Sequence, residues 1–202
     1  MLNLTLPTIR TPRLILRPIT EADAIAMYAY ASDPENLNFV WFPRHTSVEH
    51  SQQVIREFFL NRPQRGIPEP YAIVEASSGL MIGTIDIHTI RFGDVGELGY
   101  ILNKAYWNRG YTTEALHALI GVAFHHCGLW RVEIQHHAEN KASEAVIRKA
   151  GFIHEGTFRQ RKFDEALNRR GDYKFYGINC TDNVVNQRYT QENYEKTLST
   201  KV

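Results

Sequence analysis

Trp107-Asn-Arg-Gly-Tyr-Thr112 lies between an apolar β-like run and a long amphipathic stretch. A strand-to-helix junction of this kind leaves several N–H groups without helical partners and adds the positive end of the helix dipole. Together these favour a bound phosphate. Gly110 lets the main chain approach a ligand because no Cβ stands in the way, and Arg109 adds a side-chain charge. Trp107, Asn108, Tyr111, Thr112 and Thr113 complete the candidate cradle, although Thr112 or Thr113 can equally serve as a plain helix cap. Short glycine turns recur widely, so this one carries weight only in company.

The company is Asn140-Lys-Ala-Ser143, followed by Lys149-Ala-Gly-Phe152. Taken from Glu97 to Phe152, the chain resembles the GNAT superfamily of acetyltransferases, whose phosphate loop reads Gln/Arg-x-x-Gly-x-Gly/Ala. Gly110 matches the first glycine, whereas Trp107 and Thr112 depart from the pattern in the manner of the RimJ/RimL branch, acetylases of ribosomal-protein N-termini. Thr11-Pro-Arg-Leu-Ile-Leu-Arg17 and Gly156-Thr-Phe-Arg159 look like the same branch, so the resemblance extends to about Ile178. It implies acetyl-CoA as donor, with its phosphates at residues 107–113. It also implies that main-chain groups of Ile101 and Leu102 and the Asn140 side chain hold the pantetheine arm.

Acetyl transfer to an amine needs a neutral nucleophile, a stabilised oxyanion and a protonated leaving thiolate. Many relatives place an acidic tyrosine where this chain has Ile147. The resemblance then assigns the leaving-group role to Ser143, which also reads as an ordinary residue of a helix start. Glu97 is the candidate base, ahead of Glu155; the position near Lys162, acidic in some relatives, is basic here. A lysine-type amine of pKa ~10.4 costs roughly 4.6 kcal/mol to neutralise at pH 7, an α-amine of pKa ~8 only about 1.4. The expected reaction is direct transfer to a primary amine, foremost a protein or peptide N-terminus. A polyamine or antibiotic is the rival acceptor, a non-catalytic acyl-CoA sensor the rival class, and a longer acyl donor remains open. The sequence shows no carboxylate cluster near the site of the kind a polycation needs.

These residues must be positioned by a mixed α/β fold. Residues 13–17 read as a strand, and Thr20-Glu-Ala-Asp23 as a capping box opening a helix that stops near Pro34. Thr46-Ser-Val-Glu49 repeats the box before Val54, Ile55, Phe58 and Phe59, spaced along one helix side. Residues 71–75 and 81–90 form a predicted hairpin, residues 97–102 a third strand, and residues 113–127 the longest helix, capped by Gly128. A strand at 131–136, a helix at 142–150 and strands near 152–163 and 172–178 follow. The expectation is a central, mostly antiparallel sheet of about six to seven strands with helices on both faces, forming one domain over residues 1–178. Residues 179–202 read as a tail or added helix, a candidate for a homodimer contact.

The chain's 202 residues, 43% hydrophobic and 22% charged, suit one packed domain and argue against extended disorder. Lys and Arg number 23 against 22 acidic residues, so no net field draws the molecule to DNA or an anionic membrane. Cys127 and Cys180 form no CxxC pair, the start lacks a signal-peptide pattern, and no run approaches ~18 apolar residues; a cytoplasmic protein is expected. Adjacent His125-His126 and His136-His137 point in different directions and chelate poorly, so no metal is expected. The basic residues between Arg159 and Lys174 read as a solvated hairpin rim, and Trp41 and Phe42 as core.

Overall fold

The computed structural model describes residues 2–40, 43–164 and 168–198; Trp41 and Phe42 lie outside them. In β2 (Leu14–Pro18), Leu14 and Leu16 are buried and alternate with half-buried Ile15 and Arg17, as a strand's period of two requires. It pairs antiparallel with β1 (Ile9–Arg10) and with β3 (Tyr71–Glu75). Gly79, at φ +70°, closes the turn to β4 (Met81–Arg91), and Phe92 and Gly93, both at positive φ, close the next turn to β5 (Val95–Leu102). With β6 (Arg131–His137), β7 (Ile153–Asp164) and β8 (Arg169–Asn179), the strands make one eight-stranded sheet in the order β1-β2-β3-β4-β5-β6-β8-β7. The sheet is mixed, as expected, with one strand more than the expected range: β1 is two residues long, too short to show a period.

Of these pairings β5–β6 is the parallel one, and it is brief. Val95, Gly96 and Glu97 register with Arg131, Val132 and Glu133, after which the two strands part. From there β5 stays paired to β4, and β6 to β8.

One face of the sheet is covered by a 3-10 turn (Glu21–Asp23), α1 (Ala24–Ala31), α2 (Pro34–Leu37) and α3 (Val48–Val54), which runs on as a π-helical turn, Ile55–Phe59. The Thr20–Asp23 capping box is present. Pro34 does not merely stop a helix: it opens α2 at the first turn, where its missing N–H costs nothing. The second cap is Ser47 rather than Thr46, its side chain accepting the His50 N–H at 3.1 Å. The π turn rotates Phe58 outward, where Arg62 and Arg65 lie over its ring, while Ile55 and Phe59 stay buried.

The other face carries α4 (Tyr111–Gly121), extended by a π turn Val122–His126, and α5 (Lys141–Lys149). Toward the C-terminus, α6 (Asn183–Arg188) and α7 (Gln191–Leu198) bury Val185, Tyr189 and Tyr194 in the same core cluster as Leu116, Leu119 and Ile147. Among the described residues no helix is long and apolar enough to cross a membrane.

Candidate active site

The parting of β5 from β6 opens a wedge in the sheet. Asn103 N–H donates to the Ile82 carbonyl, and main-chain direction alternates along a strand, so Ile101 and Gly99 turn their peptide groups to β4. Leu98, Tyr100 and Leu102 turn theirs toward the opening. This corrects the expectation for Ile101, whose main chain belongs to the ladder. The Leu102 carbonyl faces the opening but already accepts from Asn36 Nδ2 at 2.6 Å and Trp107 Nε1 at 2.7 Å. The Leu98 N–H closes the last β5–β6 pair on the Glu133 carbonyl, so Tyr100, not singled out by the sequence, carries the unpaired edge together with the Leu102 N–H.

At the mouth of the wedge the main-chain N–H groups of Gly110, Tyr111, Thr112 and Thr113 find no acceptor among the described residues, and no side chain caps the helix. Asn108 and Gly110 both adopt left-handed conformations, φ 60° and 80°, which fold the turn into a concave set of amides. Arg13 holds this turn from outside. Its guanidinium donates to the Arg109 carbonyl at 2.9 Å and to Glu114 at 2.7 Å, and lies 4.6 Å over the Tyr111 ring. The cradle therefore fits a diphosphate: donors are present, unpaired and prearranged.

Across the wedge, Asn140 caps α5 by accepting the Ser143 N–H at 2.9 Å, leaving its Nδ2 without a partner among the described residues. The Ser143 hydroxyl lies 2.6 Å from the Tyr100 hydroxyl. Ile147 is fully buried, so no polar group replaces the missing helical tyrosine from that position.

Glu97 sits at the apex, the last residue before the strands part, and is 4% exposed. Burial alone would raise its pKa, but hydrogen bonds from His88, Gln135 and Arg91 hold it down to about 2. Held by three donors, the carboxylate is a weak proton acceptor in this arrangement. An anchored anion at the apex can instead orient an ammonium or a water. Glu155 is paired with Arg131, which also holds Glu133.

Around Glu97 the strands assemble Asp86 and Glu133 as well, a carboxylate cluster that positions 86, 97 and 133 hide in the sequence. Each is matched by a cation: Arg62 to Asp86 at 2.6 Å, Arg91 to Glu97 at 2.6 Å, Arg131 to Glu133 at 2.8 Å. His88 bridges Asp86 and Glu97, and these partners overcome its burial and push its pKa up to about 9. The alternation Asp86-Ile-His88 was the available signal for that pair. The histidine doublets serve elsewhere: His125 and His126 meet the Tyr189 and Thr5 carbonyls, and His136 stacks on Tyr176. Among the described residues no group of three or more His, Cys, Asp or Glu side chains is arranged to hold a metal ion.

A family model described as the acetyltransferase (GNAT) domain matches residues 13–153. The uncharacterized N-acetyltransferase YoaA of Bacillus subtilis (strain 168) is 31% identical over 156 residues, 76% of this chain and 87% of that protein. A GNAT-family acetyltransferase structure from Bacillus anthracis superposes with TM-score 0.76 at 22% identity, over 87% of this chain and 99% of that one. RimL, a ribosomal L7/L12 α-N-protein acetyltransferase solved with coenzyme A, does so with TM-score 0.76 at 23% identity, over 85% and 97%. Split sheet, cradle and matches together define an N-acetyltransferase enzyme. The chain belongs to the acetyltransferase (GNAT) family, and RimL and RimJ proteins are among the solved structures that share its fold.

Proposed function

We propose that this acetyltransferase takes acetyl-CoA as its donor and acetylates the α-amine of a protein or peptide N-terminus by direct transfer. The unpaired amides of Gly110–Thr113 would hold the diphosphate, the Tyr100 and Leu102 main chain and Asn140 Nδ2 the pantetheine arm, and Ser143 the sulfur. The donor supplies the activated thioester; the protein supplies position and electrostatics.

The observation that carries the choice of acceptor is the pairing of the apex carboxylates with cations. Asp86, Glu97 and Glu133 are each matched by an arginine, which leaves little negative field for a polycation. A carboxyl held near 2 is also a poor base for a lysine-type amine, whereas an α-amine reaches its neutral form unaided in about one molecule in ten at pH 7. Similarity to RimL, whose acceptor is a ribosomal protein N-terminus, supports the same reading.

Mass spectrometry of a panel holding free-N-terminal peptides, N-blocked lysine peptides, polyamines and aminoglycosides, each with acetyl-CoA or a longer acyl-CoA, tests it. Acetylated α-amines are expected. Product confined to polyamines or aminoglycosides, or made only from a longer acyl-CoA, would overturn the assignment.

A further inference from the structure

Beyond the last paired residues of β5 and β6, the Tyr100 phenol reaches across to the first turn of α5 and stops 2.6 Å from the Ser143 hydroxyl. Tyr100 shares its strand face with Leu98 and Leu102, both buried, which fixes the direction of its ring. Ser143 is fixed too, because its N–H is spent on the Asn140 cap. Two hydroxyl groups are thus held together where the wedge is bounded by β5 on one side and α5 on the other.

An aliphatic hydroxyl is a far weaker acid than a thiol of pKa ~8.5, so Ser143 gains nothing by surrendering its proton to a departing thiolate. It can donate a hydrogen bond to the sulfur as charge accumulates there. That bond strengthens when the serine oxygen itself accepts from another donor, since linked hydrogen bonds polarise one another. Burial raises the Tyr100 pKa in spite of the Ser143 contact, so the phenol keeps its proton throughout the physiological range.

We propose that Tyr100 is a positioning residue for the leaving group: its phenol donates to Ser143 Oγ, which leaves the Ser143 proton free to point into the wedge at the thioester sulfur. The inference rests on the donor proposed above. In the transfer, the amine nitrogen forms its bond to the carbonyl carbon, the C–S bond breaks with its electron pair going to sulfur, and the proton lost by nitrogen balances the one gained by the thiol. Tyr100 and Ser143 end the cycle in the protonation states in which they began it.

The decisive measurement is the pH titration of the bound CoA thiol, followed by the ultraviolet absorbance of its thiolate, in the unaltered protein and in Tyr100→Phe. Loss of the phenol should raise the thiol pKa by about one unit, a tenfold loss of thiolate. Calorimetric CoA affinity at neutral pH, set by the amide cradle, should stay the same. In turnover, kcat should fall about tenfold with KM for acetyl-CoA unchanged, and the loss should shrink for an acetyl thioester of a more acidic thiol. Ser143→Ala breaks the same chain from its other end and serves where Tyr100→Phe fails to fold; the double variant should be no worse than Ser143→Ala alone. CoA binding with identical thiol titrations in the unaltered protein and either variant would overturn the role of the hydroxyl pair alone. Failure of the unaltered protein to bind CoA would instead bring down the donor assignment.

Discussion

Gly110 shows how far one residue type can be read from its neighbours. A glycine between a strand pattern and a helix pattern signals a turn, and the turn has the φ of +80° that residues with a Cβ rarely adopt. A Cβ there would meet little beyond the Arg13 guanidinium at 3.4 Å, so the constraint is conformational more than steric. Gly110→Val should therefore fold, yet tilt the amides of residues 110–113 away from a common focus. Its thermal shift on adding CoA is expected to disappear, because stabilisation by a ligand follows RT ln(1 + [L]/Kd); a shift as large as that of the unaltered protein would mean the phosphates bind elsewhere. Ser143 and Asn140 were equally legible, being part of a contiguous motif. Tyr100 was not: its significance lies in a hydroxyl 43 positions further along the chain, and nothing local marks it.

At the scale of elements, the antiparallel pairing of β4 with β5 creates the charged group at the apex. Asp86, His88 and Glu97 come from two strands, and a register shift between Ile87 and Thr89 sets His88 between the carboxylates. The pH dependence of stability has two signs here. Glu97, depressed to about 2, stabilises the fold fully above its unfolded pKa of ~4.3 and loses that contribution as pH falls through about 2. His88, raised to about 9, contributes fully below ~6.5 and loses its contribution as pH rises through about 9. Melting temperatures across pH 6 to 10 should decline for the unaltered protein and stay flatter for His88→Gln. Parallel curves would show that the imidazolium is not held by its two carboxylates. Strand positions were readable from the β-branched runs, whereas pairing partners and the register shift depend on contacts that no single strand specifies.

At the scale of the whole molecule, the two terminal helices are bound into the fold. Tyr189 donates its hydroxyl to the Ala150 carbonyl at 2.7 Å and Arg188 donates to the Lys149 carbonyl at 3.0 Å, so α6 supplies partners for the end of α5. Val185, Tyr189 and Tyr194 are buried there, and burying an apolar side chain is worth about 1.5–3 kcal/mol. A chain ending at Asn179 should lose roughly 5 to 9 kcal/mol, a large share of the ~5–15 kcal/mol that holds an ordinary domain. Urea denaturation measures this directly, and an unchanged midpoint would refute it. The polar pattern of residues 179–202 gave no warning of such burial, because the three side chains are spaced too irregularly to form a stripe. What the sequence determined by itself was local: the Thr20–Asp23 cap, the strand and helix periods, the glycine turn and the Asn140–Ser143 motif, each fixed by residues within a few positions of one another. The tertiary structure alone decided where β5 leaves β6, which carboxylates meet which cations, and how Tyr100 reaches Ser143, because those depend on packing between segments tens of residues apart.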